Sequence, residues 1–140
     1  MKPRIKVITL GVDDLGRSLA FYRDGLGLPT EGIIGTEFED GAAVFFNMND
    51  DLILALYPRP ALTENAKVSL SPPSPSELSI GHIVGSKQEV NAIMQQAEKA
   101  GAHVTDSARD RFWGGYSGYF QDPDGHLWEI AWNPTWEVKE

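Results

Sequence analysis

The alternation of apolar and polar residues is clearest near the carboxyl end of the chain, where it predicts a β-hairpin. The run LWEIAW at residues 127–132 puts Glu129 among aliphatic residues on one face and three large apolar residues on the other. The segment DPDG at residues 122–125 supplies a proline suited to a tight turn and a glycine that tolerates positive φ. Residues 118–121 and 126–132 are therefore predicted to pair. The carboxylate on the aliphatic face is therefore the candidate functional group of this hairpin.

The pattern also predicts one order of elements twice. After the first strand, Asp14 is placed to cap a helix with apolar residues at helical spacing, which ends at Gly25 or Gly27. In the second half, residues 86–89 (SKQE) have the spacing of a capping box and begin a helix that Gly101 ends. The predicted strands are residues 5–12, 29–34, 41–47 and 52–57 in the first half and 78–84, 103–109, 116–121 and 126–132 in the second. Each half is therefore predicted to be a βαβββ module.

A proline-rich stretch separates the two modules. Five of the nine prolines lie at positions 58, 60, 72, 73 and 75, and proline cannot donate to the ladder of a central sheet. We predict a single α+β domain over residues 1–140, with module 1 at about 1–57, a connector at about 58–77 and module 2 at about 78–140.

One helix covers only one face of each predicted sheet. Two modules that cover each other's bare faces would form a cupped mixed sheet with the helices outside and a shared cavity inside. The mixture of Thr9, Gly11 and either Ser79 or His82 with Glu129 at inward positions favours this cavity. The alternative is a pair of ordinary repeats whose inner faces pack solidly.

Composition excludes several classes of function. The chain has no cysteine, which removes disulfides, thiolate ligands and a thiol nucleophile. Twenty acidic residues against twelve basic ones give a formal charge of −8, which disfavours nucleic acid as a partner. No apolar run approaches the length of a membrane span, and the first residues predict a strand, not a signal peptide. We expect a cytoplasmic protein with no membrane partner.

Three segments carry a resemblance to a known family. Residues 11–28 (GVDDLGRSLAFYRDGLGL), 99–104 (KAGAHV) and 118–130 (GYFQDPDGHLWEI) resemble the vicinal oxygen chelate superfamily of glyoxalases, bleomycin-resistance proteins and extradiol dioxygenases. The resemblance implies a divalent metal inside a cupped sheet, held by four side chains from the first and last strand of each module. The metal would chelate adjacent oxygens of a substrate.

Only part of that ligand set matches this chain. The first two positions fall on Val7 and Leu54, which cannot bind a metal, and the last falls on Glu129. The third falls on His82 when it is counted from the end of the second helix and on Ser79 when it is counted from the end of its strand. Strand alternation groups His82 with residues that are expected to pack on the helix.

Two ligands are fewer than a protein metal site normally uses. We therefore expect no resident cofactor, with a divalent metal as the open alternative. Glu129 and His82 are the candidate catalytic residues, as a general base or as groups that orient a ligand by hydrogen bonds.

The aromatic content of the second half predicts a wall for a small-molecule ligand. Gly114 and Gly115 would let the chain bend there, so that an aromatic residue can fold over the cavity mouth. The predicted ligand-binding residues are Thr9, Phe45, Leu54, Trp113, Tyr116, Tyr119 and Glu129. The alternative assigns the aromatic residues to the core or to a dimer interface. Arg109 and Arg111 are candidates for binding a carboxylate, with simple solvation as the alternative.

These observations lead to three hypotheses of function. The first is a protein that binds a small aromatic or amphipathic molecule, by sequestration or with metal-independent chemistry. The second is a metal-dependent lyase, isomerase or dioxygenase that uses His82 and Glu129. The third is a structural interaction module with a solidly packed interior. The resemblance also implies a homodimer.

Overall fold

Each half of the chain builds one four-stranded mixed sheet with a helix against one of its faces. The computed structural model describes residues 1–139, in one unit that covers Met1–Pro72 and another that begins at Pro73. The first unit contains β1 Val7–Val12, α1 Leu15–Leu19, a π-helical continuation Ala20–Gly25, β2 Thr30–Ile34, β3 Ala43–Asn47, a 3-10 turn Asn49–Asp51, β4 Ile53–Pro58 and α2 Arg59–Ala66. The second contains β5 Ser79–Ile83, α3 Lys87–Lys99, β6 His103–Asp110, β7 Tyr116–Gln121 and β8 Leu127–Trp132.

The two sheets have the same strand order. It is β1-β4-β3-β2 in the first unit and β5-β8-β7-β6 in the second. In each sheet the first and last strands pair in parallel, and the remaining pairs are antiparallel. The α+β class, the βαβββ order and the eight predicted strands are confirmed.

In the first unit one face of the sheet packs on the helix. Cross-strand partners lie on the same face, so Ile8, Leu54 and Phe46 form one row of that face. The ring of Phe46 lies 5.9 Å from the ring of Tyr22 in the π-helical segment. Phe46 and Tyr22 are completely buried, which places the core of this unit between helix and sheet.

In the second unit the corresponding face packs on α3. A Cβ atom added to Gly118 would lie 2.9 Å from Cε of Met94, so the helix lies directly over this glycine. The rings of Phe120 and Trp128 stack on the same face, with centroids 6.2 Å apart. Ile130, the cross-strand partner of Gly118, is also buried there. The opposite face of this sheet carries Glu129.

Side-chain caps fix where α1 and α3 begin, as the sequence predicts. A carboxylate oxygen of Asp14 accepts a hydrogen bond of 3.1 Å from the backbone N–H of Arg17. At α3, Ser86 Oγ accepts from Glu89 N at 3.2 Å, and the Glu89 carboxylate accepts from Gly85 N at 2.6 Å. α3 has 13 residues, and no helix within residues 1–139 has the length and apolar content needed to cross a membrane.

The DPDG turn forms the predicted hairpin between β7 and β8. The N–H of Gly125 donates to the carbonyl of Asp122 at 2.9 Å, and Gly125 has φ +89°. Oδ1 of Asp122 also accepts from the N–H of His126 at 2.8 Å, while Oδ2 lies 2.7 Å from Nδ1 of that histidine. The Asp122 carboxylate therefore holds both ends of the turn together.

Helix α2 was not predicted, because its prolines suggested an irregular connector. The prolines lie where a helix tolerates them: Pro58 precedes the first helical residue, and Pro60 lies in the first turn, where N–H groups have no intrahelical acceptor. Lys67 ends the helix with φ +57°. Arg59 extends from the start of α2 to Asp13, 3.1 Å away, and ties the helix to the end of β1.

Candidate functional site

Glu129 lies on the open face of the second sheet, the face opposite α3. It pairs with Gly81 on one side and with Tyr119 on the other. Cross-strand partners project to the same face, so these three positions form one row. A Cβ atom added to Gly81 would meet nothing within 4 Å. The space beside the Glu129 carboxylate is therefore open on the Gly81 side.

Tyr119 is the polar neighbour of this carboxylate. Burial raises the pKa of the Tyr119 hydroxyl, and the hydrogen bond to Glu129 together with its negative charge raises the pKa further. The guanidinium of Arg111 lies 5.3 Å from the centre of the Tyr119 ring and acts in the opposite direction. At neutral pH Tyr119 therefore keeps its proton, and its hydroxyl can act as a hydrogen-bond donor to the Glu129 carboxylate.

Arg111 stabilises the β6–β7 hairpin next to Tyr119. Its guanidinium donates to the Ser117 carbonyl at 2.8 Å, to Ser117 Oγ at 2.9 Å and to Asp106 Oδ2 at 2.9 Å. Only 10% of the Arg111 side chain is exposed, so it is neither solvated nor free to bind a ligand carboxylate. Hydrogen bonds from Arg109 and then from Arg111 lower the pKa of Asp106. The hairpin is thus held by a network of two guanidinium groups around one carboxylate.

A hollow of about 490 Å³ opens next to this row. The segment that precedes β5 forms one side, and Tyr119 together with residues of β5, β6 and β8 forms the rest. The lining residues are Pro75, Ser76, Glu77, Leu78, Ser79, Thr105, Tyr119 and Leu127. The volume is within the range of small-molecule sites. Tyr119 joins the hollow to Glu129, because it lines the first and hydrogen-bonds the second.

His82 does not share a face with Glu129. It pairs with Ile130, whose face packs on α3, whereas the next residue towards the amino end, Gly81, pairs with Glu129. Surrounding atoms desolvate His82 and lower its pKa, and the negative charge of Glu89 partly opposes that shift. The structure therefore separates the two candidate catalytic residues, because neighbouring positions of a strand project to opposite faces. Ser79 is the residue of β5 that lies on the open face and lines the hollow.

Two of the predicted aromatic ligand residues also lie away from the Glu129 row. Tyr116 donates to Oδ1 of Asn91 on α3 at 2.7 Å, and the ammonium of Lys87 lies 5.4 Å from the centre of its ring. Trp113 lies against Gly115 in the β6–β7 loop, where an added Cβ would lie 1.8 Å from the nearest atom of the indole ring. Tyr119 alone of these three meets Glu129.

The first sheet repeats the same row with different chemistry. Thr9, Ala55 and Phe45 are paired in the order in which Gly81, Glu129 and Tyr119 are paired in the second sheet. Thr9 and Phe45 thus lie on the open face of the first unit, as predicted for ligand-binding positions. Phe45 is 43% exposed. It lines a separate hollow of about 550 Å³ with Pro29, Thr30, Glu31, Gly32, Ile34, Asn47 and Ile53.

Leu54 requires a correction of one residue. It is 3% exposed and lies on the helix-packed face, in the row of Ile8 and Phe46. The residue at the place of Glu129 is Ala55, so the assignment of Leu54 to the open face was shifted by one position. The reason is that IKVITLGV and LILALYP are apolar on both faces, which hides the alternation that fixes a register.

The donor set does not fit the family metal site. On the open faces the relevant positions are Val7, Ala55, Ser79 and Glu129, which offer one carboxylate and one hydroxyl. A divalent ion that is held by side chains needs more donors than these. Three potential ligands do converge within 4.8 Å in the DPDG turn, namely Asp122, Asp124 and His126. There the Asp122 carboxylate is already the acceptor that closes the turn.

Sequence reasoning found Glu129 and Tyr119 and missed most of their surroundings. Leu127 shares the face of Glu129 by simple alternation, so that signal was present. Asp106 could not be found in this way, because the β6–β7 register shifts on both sides of it. Glu77 lies in the proline-rich connector, where no periodicity indicates a direction.

Comparisons with known proteins agree with this architecture. The sequence model of the glyoxalase/bleomycin resistance protein/dioxygenase superfamily matches residues 4–130. A glyoxalase-related enzyme from Fulvimarina pelagi is 34% identical over 98% of this chain and 93% of its own, with a TM-score of 0.85. A lactoylglutathione lyase from Agrobacterium tumefaciens is 25% identical over 97% of this chain and 98% of its own, with a TM-score of 0.68.

A more distant structure has the same fold. A fosfomycin resistance protein from Listeria monocytogenes is 22% identical over 96% of this chain and 97% of its own, with a TM-score of 0.70. No curated protein matches the chain significantly. The match over residues 4–130 and the relative at 34% identity agree with the segments singled out in the sequence. The chain belongs to the glyoxalase/bleomycin resistance protein/dioxygenase superfamily.

Proposed function

We propose that this chain is a small-molecule-binding member of its superfamily that works without the family's four-ligand metal site. Its site is the open face of the second sheet around Glu129 and Tyr119. It acts by sequestering its ligand or by metal-independent chemistry in which Glu129 is the base. The observation that carries the proposal is the Glu129 carboxylate, paired across the sheet with Tyr119, which lines a hollow, while the other carboxylate of the row, Asp106, is engaged by Arg109 and Arg111.

The chemistry of this pair supports binding more than metal retention. A carboxylate has about four acceptor positions, and Tyr119 uses one of them. The others remain for a ligand that donates a hydrogen bond. Leu78, Pro75 and Leu127 offer apolar surface in the hollow, which suits a small aromatic or amphipathic body.

The competing hypothesis is a metal-dependent lyase, isomerase or dioxygenase that uses His82 and Glu129. The name of the lactoylglutathione lyase, at 25% identity, motivates it. The opposite faces of His82 and Glu129 count against it, because both side chains would have to reach one ion.

The test is a pair of titrations of the intact protein. Protein purified without chelator is analysed for bound divalent ions and titrated with Mn²⁺, Ni²⁺ and Zn²⁺ by calorimetry. A set of small aromatic compounds is then titrated by two-dimensional NMR. We expect weak, substoichiometric metal binding, and ligand-induced shifts centred on Tyr119, Leu127 and Glu129. A stoichiometric ion that Glu129→Gln releases, or shifts confined to other surfaces, would contradict the proposal.

A further inference from the structure

We infer that the open-face hollow of the second unit selects cationic ligands, amines carried on an apolar body, over neutral and anionic ligands of the same shape. This inference rests on the proposed function and adds the class of ligand. It follows from the balance of charge around Glu129, from the residues that line the hollow and from the open space at Gly81.

The charge of Glu129 has no basic partner. No ion pair to Glu129 occurs in the part of the chain that the structure describes, residues 1–139, and its row partners Gly81 and Tyr119 are uncharged. Arg109 binds Asp106 at one end of this row, and Arg111 lies over the Tyr119 ring. Its guanidinium is used by Asp106 and by the Ser117 carbonyl. Asp106, the partner of Tyr119 on β6, belongs to the same row and is bound by both Arg109 and Arg111, so Glu129 is the carboxylate of this row without an ion pair within residues 1–139.

The lining of the hollow points the same way. It includes a second carboxylate, Glu77, and neither lysine nor arginine. The chain as a whole carries a formal charge of −8, so its long-range field also attracts cations and repels anions. A carboxylate-bearing ligand in the hollow would meet the Glu77 carboxylate and no basic side chain of the lining.

The geometry accommodates an ammonium group. Next to Glu129, the Gly81 position leaves open space, and Tyr119 offers an aromatic face on the other side. A protonated amine that donates to the carboxylate makes a charge-assisted hydrogen bond and also interacts with the ring. The apolar part of such a ligand would lie against Leu127 and Leu78 in the hollow.

Three commercial probes test the selectivity: phenethylamine, 2-phenylethanol and 3-phenylpropionate. They share a phenyl ring on a short chain and differ in the charge of the head group. Each is titrated into the intact protein by NMR at neutral pH and constant ionic strength. We expect phenethylamine to bind at least about tenfold more tightly than the other two, the size of one modest charge-assisted contact. Added salt should weaken the amine more than the alcohol.

Variants locate the effect. Glu129→Gln should bring the three affinities within about threefold of one another, whereas Glu98→Gln on α3, which changes the net charge equally, should retain the preference. Gly81→Leu should weaken all three probes by filling the space beside Glu129. A folded-state NMR spectrum checks each variant, and the salt dependence of the wild type tests the charge effect even if one variant fails to fold.

The outcomes distinguish the charge selectivity from the existence of the small-molecule site. If all three probes bind equally, or 3-phenylpropionate binds best, the charge selectivity is wrong while the small-molecule site stands. If the amine is preferred but Glu98→Gln abolishes the preference and Glu129→Gln does not, the site is misplaced. If none of the probes binds at millimolar concentration, both the selectivity and the proposed site fail.

Discussion

Tyr119 and Glu129 are direct cross-strand partners between β7 and β8, and the carboxylate is a neighbour that acts on the pKa of the tyrosine hydroxyl. The pKa of the tyrosine is raised by its burial and by this neighbour. In Glu129→Gln the contribution of the charged neighbour is lost, so we expect the pKa of Tyr119 to fall towards its ordinary value of 10.0 while the burial effect remains. NMR of ring-labelled tyrosine measures the change, with Tyr119→Phe to identify the signal. An unchanged Tyr119 titration would mean that the hydrogen bond is absent in solution.

Arg111 and Arg109 both bind Asp106 but in different surroundings. Arg111 is 10% exposed and also serves Ser117, whereas 62% of the Arg109 side chain is exposed. Arg111→Lys leaves a buried carbonyl with a poorer donor, and we expect it to lower the free energy of unfolding by about 1–3 kcal/mol. Arg109→Lys should cost at most about 1 kcal/mol. Denaturant titration of both variants compares them, and equal losses would contradict the role of Arg111 as the hairpin support.

Gly118 and Gly81 lie on opposite faces of the second sheet and should respond oppositely to alanine. A Cβ at Gly118 would come within 2.9 Å of Met94 Cε and 3.0 Å of the backbone nitrogen of Ala108, so Gly118→Ala should destabilise by about 1–3 kcal/mol. At Gly81 the added methyl meets nothing within 4 Å, and φ there is not positive. Gly81→Ala should therefore be neutral or stabilise by about 0.4–1 kcal/mol. Thermal unfolding monitored by circular dichroism decides, and a destabilised Gly81→Ala would show that the face is covered.

His82 should make the folded state sensitive to mild acid. Desolvation by neighbouring atoms lowers its pKa in the folded state below the ordinary 6.5, so the unfolded chain binds a proton more readily. Stability from the neutral ring is present above pH 6.5 and is lost as the pH falls through that value towards the folded pKa. Between about pH 7.5 and about pH 5 the wild type should lose more unfolding free energy than His82→Gln. His103→Gln on β6 is the matched control variant.

The sequence predicted the architecture well because segments with the two-residue alternation of a strand and segments with the spacing of a helix follow each other along it. In strands whose two faces differ, such as residues 127–132, the alternation showed which side chains share a face and so indicated the face that carries Glu129. β1 and β4 are apolar on both faces, and there the assignment of Leu54 was shifted by one residue.

The remaining differences also have physical causes. α2 was hidden because prolines in a first helical turn look the same in sequence as prolines in a loop. The pairing of Glu129 with Tyr119 depends on the β7–β8 register, which the DPDG turn sets and which the sequence indicated. The homodimer, the shared cavity and the ligand stay predictions.

The two sheets have matching rows of paired residues, but the row in the first sheet lacks the carboxylate and the phenol hydroxyl of the second. Ala55 and Phe45 face each other across β4 and β3 as Glu129 and Tyr119 do across β8 and β7. Two substitutions, Ala55→Glu and Phe45→Tyr, would therefore place a carboxylate and a phenol hydroxyl at the corresponding paired positions of the first sheet. In that variant the same two side chains would occupy the same strand geometry in two different surroundings. Comparing the two pairs within one molecule, under identical conditions, separates the effect of the strand geometry from the effect of the surrounding residues.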